Sequence, residues 1–258
     1  MRYASLASGS KGNCHALTDG SQTLLVDTGI SFLQIRTRLE TLGWNLGHVQ
    51  AVAFTHEHSD HIAALPVILK RTNWQILATE DTLQAICRIQ NIAVPAERWI
   101  PLRPGHSTRW EGWDILPFSI PHDAVDPVAY RIEGCGKTIA VVTDLGHPTA
   151  LVVDHCLDVD ILALEANHDI QMLRDGNYPP TLKARILSRI GHLSNEATAD
   201  LLSRVRSARL QTVVLAHLSE QNNDPALAHF ATQEALRGSG IPIHVATQRL
   251  PLEVAARL

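Results

Sequence analysis

The chain has 258 residues, of which 45% are hydrophobic and 19% charged, a balance that excludes a disordered or fibrous protein. Its formal net charge of −4 excludes a uniformly basic coat for nucleic acid, though not a local basic patch. No apolar run approaches the ~20 residues of a membrane span, and Met1 to Leu6 lack the charged-then-apolar pattern of a secretory signal, so a cytoplasmic protein is expected.

In chain order, Cys14 to Thr18 and Thr23 to Val26 flank Asp19-Gly20-Ser21 and predict a hairpin. Beyond Asp27-Thr28-Gly29, Ser31 with Gln34 forms a capping-box pattern, and the stripe Leu33, Leu39, Leu42 predicts a helix ending at Gly43. Ala51 to Phe54 reads as a buried strand, followed by the loop Thr55 to His61 and a helix over Ile62 to Leu69. Strands are expected at Gln75 to Ala78 and Asp114 to Ile120, with a helix from about Asp81 to Ile89 between them. Ala129 to Glu133 and Thr138 to Thr143 pair naturally across Gly134-Cys135-Gly136. After a strand at Asp160 to Leu164 come helices at Leu182 to Ile190 and Asn195 to Ser207, separated by Gly191-His192-Leu193-Ser194. Strand Thr212 to Ala216, helix Pro225 to Gly238 and strand Ile241 to Ala246 complete the pattern. Hairpins early and βα alternation late imply an α/β chain, with no linker or repeat to divide residues 1 to 258 into more than one domain.

Fourteen histidines raise the question of which carry chemistry. Isolated ones (His15, His48, His106, His147, His155, His229 and His244) are read as background. The loop Thr55-His56-Glu57-His58-Ser59-Asp60-His61 is different, because it packs three imidazoles and two carboxylates against the end of a buried strand. Extended backbone would aim His56, His58 and Asp60 to one side, with His61 turning out as the helix begins. Four such donors crowd one metal but suit two adjacent ones, His56 and His58 serving one and Asp60 with His61 the other. Further donors stand at the carboxyl ends of apolar runs: His122, Asp144 and His217. The four cysteines, Cys14, Cys87, Cys135 and Cys156, form no CxxC pair and are expected to be free thiols.

HxHxDH followed by a lone histidine, a strand-end aspartate and a second lone histidine resembles the metallo-β-lactamase superfamily of hydrolases. The resemblance implies a four-layer αββα sandwich with two divalent metal ions on one edge, zinc or manganese. By that resemblance His56, His58 and His122 match the ligands of the first ion, Asp60, His61 and His217 those of the second, with Asp144 bridging. Asp27 matches the superfamily's structural aspartate.

Glu165-Ala166-Asn167-His168-Asp169 and Gly191-His192-Leu193-Ser194 look like the Glu-Ala and His-Ser segments of the phosphodiesterase branch. There a glutamate orients a histidine near the leaving oxygen, so Glu165 would orient His192 as general acid, favouring its protonated form. The place of His168 stays open between site and scaffold. A closer resemblance, to the YycJ/WalJ group of metallohydrolases, rests on Ser8-Gly9-Ser10-Lys11-Gly12-Asn13-Cys14, Pro121-His122-Asp123-Ala124, and Ala216-His217-Leu218-Ser219-Glu220. It implies a nuclease or phosphodiesterase with nucleic acid, DNA first, as substrate and 5′-to-3′ exonuclease action. The expected chemistry is attack of metal-activated hydroxide on the phosphodiester, with Asp60 accepting a proton and His192 protonating the leaving oxygen. Only 73 positions separate Asp144 from His217, too few for the β-CASP insertion of the RNase J branch. Cations at 183, 185, 189, 204, 206 and 209 against acids at 196 and 200 give a local balance of +4 beside His192, a path for a phosphate backbone or simply a solvated face. The alternatives are a thioesterase of glyoxalase II type, which has no use for Glu165 with His192, a small-molecule phosphodiesterase, and a metal-binding regulatory protein without turnover.

Overall fold

The computed structural model describes residues 1–256. The chain opens with three strands in antiparallel register, β1 (Arg2–Ala7), β2 (Cys14–Thr18) and β3 (Thr23–Val26). Helix α1 (Phe32–Thr41) starts on the reciprocal Ser31 and Gln34 capping box that the sequence predicts. Strand β4 (Val49–Ala53) then lies parallel to β3. The expected helix after the histidine loop begins earlier and is broken: α2 (Ser59–Ile62) is a single turn, and α3 (Leu65–Arg71) restarts beyond Ala63 and Ala64 with Pro66 in its first turn. Strand β5 (Gln75–Thr79), helix α4 (Glu80–Gln90) and strand β6 (Trp99–Leu102) complete the first sheet, whose remaining edge strand comes from the far end of the chain.

The second sheet is built from β7 (Thr108–Trp110), β8 (Trp113–Ser119), β9 (Val128–Gly134) and β10 (Lys137–Val142), successive antiparallel neighbours. After helix α5 (Ala150–Cys156), strand β11 (Ile161–Glu165) adds parallel to β10. Helices α6 (Ile170–Asp175), α7 (Pro180–Ile186) and α8 (Asn195–Val205) lead to strand β12 (Thr212–Ala216). Helix α9 (Pro225–Ala235), strand β13 (Ile243–Val245) and strand β14 (Leu252–Ala255) follow. The sheet orders are β14-β1-β2-β3-β4-β5-β6 and β13-β12-β11-β10-β9-β8-β7.

Both sheets are covered on both faces, which explains why their parallel strands read as unbroken apolar runs. In β3, Leu24 and Val26 face the other sheet while Leu25 faces the helices. In β11, Ile161 and Ala163 point inward and Leu162 and Leu164 outward. The inter-sheet core therefore lies between two helix-covered outer cores, giving the layers of an αββα sandwich. Strands β1, β6, β7 and β14 escape the sequence pattern because they are edge-proximal, short or interrupted by Pro101. Among the described residues no helix is long and apolar enough to cross a membrane, and the four cysteines are free.

Candidate metal centre

The parallel half of each sheet delivers polar residues where its strands end. Asp27 follows β3, the histidine loop follows β4, Asp144 follows β10, Glu165 ends β11 and His217 follows β12. Three of these, Asp27, Asp144 and His217, hold left-handed backbone at φ of 60°, 58° and 56°. Non-glycine residues seldom adopt that conformation, and here it turns the chain sharply at the strand end so that the side chain meets the rim.

His56, His58 and His122 each offer a nitrogen within 4.8 Å of the others, and Asp60, His61 and His217 form a second such group. A third, His56, His61 and Asp144, joins the two. Asp60 and His61 both lie in the single turn α2, with His58 at its N-cap, rather than Asp60 sharing an extended loop with the two preceding histidines. Gly29 makes this turn possible: a Cβ there would stand 1.6 Å from the Asp60 carbonyl oxygen. Asn13 closes the same side. Its backbone N–H donates to that carbonyl at 2.8 Å, and its Nδ2 lies 3.1 Å from His61 Nε2 and 3.4 Å from Asp60 Oδ2.

Beneath the donors run two buried carboxylates. Asp27 accepts from Thr55 N at 2.9 Å, from Thr55 Oγ1 at 2.8 Å and from His61 Nδ1 at 2.8 Å. Glu165 is fully buried and accepts four hydrogen bonds. Its Oε1 takes His192 Nδ1 at 2.8 Å and His217 Nδ1 at 2.7 Å, and its Oε2 takes Leu145 N at 2.8 Å and Leu193 N at 3.1 Å. Burial alone would raise its pKa, but the His192 and His217 imidazoles hold it down, to about 2. Against its own burial, His217 is pushed up to about 10 by Asp144, Asp60 and Glu165, and His61 is raised well above its ordinary value by Asp144, Asp27 and Asp60. Desolvation lowers His56, with His61 adding to the effect.

This donor set fits metal ions. Buried His56 Nε2, His217 Nε2 and Asp144 Oδ2 have no hydrogen-bond partner among the described residues, and all three belong to the groups above. An imidazole whose Nδ1 is held by a carboxylate and whose Nε2 is unpaired is arranged to coordinate. Zinc suits the mixed nitrogen and oxygen set, and manganese suits its carboxylates.

A cavity of about 230 Å³ opens over the cluster, lined among others by His58, Asp60, Asp144 and His192. Sequence reasoning pairs Glu165 with His192 but misses Glu165's second hold on His217, for which strand-end position is the only hint. It also misses Ser8 and Asn167. Ser8 Oγ accepts from His217 N at 2.7 Å, and Asn167 Nδ2 donates to His217 O at 2.9 Å, which together fix that residue's unusual backbone. His168 is buried outside the clusters, its carbonyl accepting from Asn195 N. His15, read as background, lies fully buried with its Nδ1 2.7 Å from Tyr3 Oη. The basic stretch divides: Arg185 lines the cavity, whereas Arg209 pairs with Asp160 at the opposite end of β11 from Glu165.

A two-sheet scaffold with such a cluster at its strand ends defines a class, the metallohydrolases of the β-lactamase fold. The chain belongs to the beta-lactamase superfamily, whose domain model matches residues 22–218, and within it to the WalJ/YycJ group. It is 34% identical to the exodeoxyribonuclease WalJ of Streptococcus pneumoniae over 95% of this chain and 91% of that protein. The exodeoxyribonuclease YycJ of Bacillus anthracis is 29% identical over 98% of both chains. Among solved structures, the metallo-beta-lactamase fold protein YhfI of Bacillus subtilis superposes with a TM-score of 0.73 at 15% identity, covering 98% of this chain and 99% of that one, a likeness of fold.

Proposed function

We propose that this chain is a metal-dependent exodeoxyribonuclease of the cytoplasm, acting through one catalytic domain that spans its length. The observation that carries the reading is Glu165 gripping His192 at the wall of a cavity floored by paired donor groups. Full-length similarity to proteins named exodeoxyribonucleases supports DNA as the polymer.

On this reading His56, His58 and His122 would hold one divalent ion and Asp60, His61 and His217 a second, with Asp144 as a further ligand. When bound, such ions polarise phosphate oxygens and make coordinated water acidic enough to act as a nucleophile near neutral pH. The rest is the work of the chain. Glu165 accepts the Nδ1 proton of His192, so a second proton on the doubly protonated ring sits on Nε2, which has no partner among the described residues, and is the one handed across the cavity to the departing alkoxide. That donor separates phosphodiester cleavage from thioester cleavage, because an alkoxide leaves as a strong base. Asp60, partly exposed to the cavity, takes up the proton released by the attacking water.

The test is end-labelled single- and double-stranded DNA and RNA with zinc- or manganese-loaded protein, beside a His56→Ala/His58→Ala control. Stepwise shortening of DNA, lost in the control, is the expected result. A metal-loaded protein that leaves DNA intact and hydrolyses a thioester would overturn the reading.

A further inference from the structure

One wall of the cavity is used by nothing above. It is formed by Tyr178 and by Leu182, Arg185 and Ile186 of α7. Spacings of three and four place those three side chains on one face of the helix, so all reach the same space. The wall is fixed to the candidate acid. His192 N donates to Ile186 O at 3.0 Å, and a Cβ on Gly191 would lie 2.2 Å from Ile186 O and 2.3 Å from Arg185 O, so only glycine lets α7 close against the His192 turn.

The chemistry of this wall is specific. Arg185 donates through Nε to Asp123 Oδ2, which aims the guanidinium and leaves both terminal nitrogens without a partner among the described residues. Its basic neighbours are committed elsewhere, Lys183 to Arg174 O and Arg189 to His147. A planar fork with two free nitrogens suits a phosphate. Tyr178 is half-buried, its hydroxyl makes no hydrogen bond among the described residues, and with Leu182 and Ile186 it offers an aromatic and aliphatic surface of the kind on which bases stack.

We propose that Arg185 and Tyr178 form a subsite for the terminal nucleotide of the strand under attack, Arg185 taking its 5′-phosphate and Tyr178 stacking on its base. The inference rests on the exodeoxyribonuclease reading and goes beyond it. The wall lies in the same cavity of about 230 Å³ as the donor cluster, within reach of the nucleotide next to the scissile phosphate. When that nucleotide ends the strand it carries a second phosphate only at a phosphorylated 5′ end, because a 3′ end finishes in a hydroxyl. The wall therefore selects phosphorylated 5′ ends.

The experiment compares kcat/KM on one DNA sequence bearing either a 5′-phosphate or a 5′-hydroxyl, for metal-loaded wild type, Arg185→Ala, Arg185→Lys, Tyr178→Ala and Tyr178→Phe. Metal content and melting temperature of each variant serve as folding controls. Wild type is expected to favour the phosphorylated end by roughly tenfold, and Arg185→Ala to bring that ratio to about one, with Arg185→Lys between. Tyr178→Ala should raise KM on both ends by roughly tenfold, and Tyr178→Phe, which keeps the ring, should restore it. A wild-type ratio of one, or a wild-type ratio retained in Arg185→Ala, overturns the subsite while leaving the exodeoxyribonuclease intact. If wild type degrades neither DNA yet hydrolyses bis-p-nitrophenyl phosphate, the nucleic-acid reading falls and the subsite with it.

Discussion

Replacing Glu165 with glutamine changes one atom and one charge at the point where most of the site converges. The carboxylate accepts four hydrogen bonds, two on each oxygen, and is fully buried. An amide offers one accepting oxygen and one donating nitrogen. If the oxygen stays with the imidazoles, Leu145 N and Leu193 N confront an NH2 group. If the amide flips, His192 and His217 do. Either way two buried donors lose their acceptor, and all four lose a charged one. Hydrogen bonds to a charged group contribute ~1.5–3 kcal/mol each, so losing two destabilises the fold by about 3–6 kcal/mol. For a chain of this size that is on the order of 10 °C in Tm.

Activity should fall further than stability explains. His192 loses the partner that accepts its Nδ1 proton, and if it is the general acid proposed, losing that positioned donor lowers kcat by ~10²–10⁴. His217 loses its anchor as well, weakening metal affinity by roughly 10–100-fold. The assay is steady-state cleavage of labelled DNA at saturating zinc or manganese, with metal content measured on the same sample and folding followed by thermal melting. Glu165→Gln protein that melts within a degree of wild type and keeps its kcat at full metal occupancy would refute the reasoning.

Other outcomes follow from the same geometry. Asp27→Asn should weaken metal uptake by about 10–100-fold through loss of the His61 anchor, measured by competition with a chromogenic chelator. Gly29→Ala forces a Cβ onto the Asp60 carbonyl and should cost about 3 kcal/mol or more in chemical denaturation, with loss of metal. Burial lowers His168 to about 4, so the unfolded chain takes up a proton there below about pH 6.5 that the folded chain refuses. Stability is thus lost as pH falls from 6.5 towards 4, and His168→Gln should reduce the slope of metal-free stability against pH by ~1.4 kcal/mol per unit, checked by denaturation between pH 4.5 and 6.5. His61 and His217 behave oppositely. Their raised values give the metal-free protein stability that is complete below about pH 6.5 and is lost as pH rises, for His217 through about 10, and metal loading at neutral pH should release protons detectable by calorimetry in buffers of different ionisation enthalpy.

Legibility in the sequence followed the physics of each feature. Strands such as Thr212–Ala216 and the Ser31 capping box stand out because burial on both faces and cap chemistry write local patterns. The donor residues were visible for the same reason: polar groups interrupting apolar runs at their carboxyl ends. What stayed hidden depends on contacts across long separations. Asn13 meets Asp60 through the close approach at Gly29, and Tyr178 reaches the cavity only because α7 folds against Gly191. Charge counting along the chain leaves a phosphate path and a solvated face both open, because Arg185 and Arg209 share one basic stretch but lie towards opposite ends of β11, one at the cavity and one tied to Asp160.

The two buried carboxylates are counterparts. Asp27, just past β3, grips His61, and Glu165, at the end of β11, grips His217, so each sheet supplies one anion at a parallel strand end to orient an imidazole of the donor cluster. Glu165 differs in holding a second imidazole, His192, with the same oxygen. On the proposed mechanism that extra bond lets the same carboxylate also orient the proton donor. The two substitutions should therefore separate: excess metal should restore kcat to Asp27→Asn, because only loading is impaired, but not to Glu165→Gln, because no concentration of metal replaces the group that orients His192.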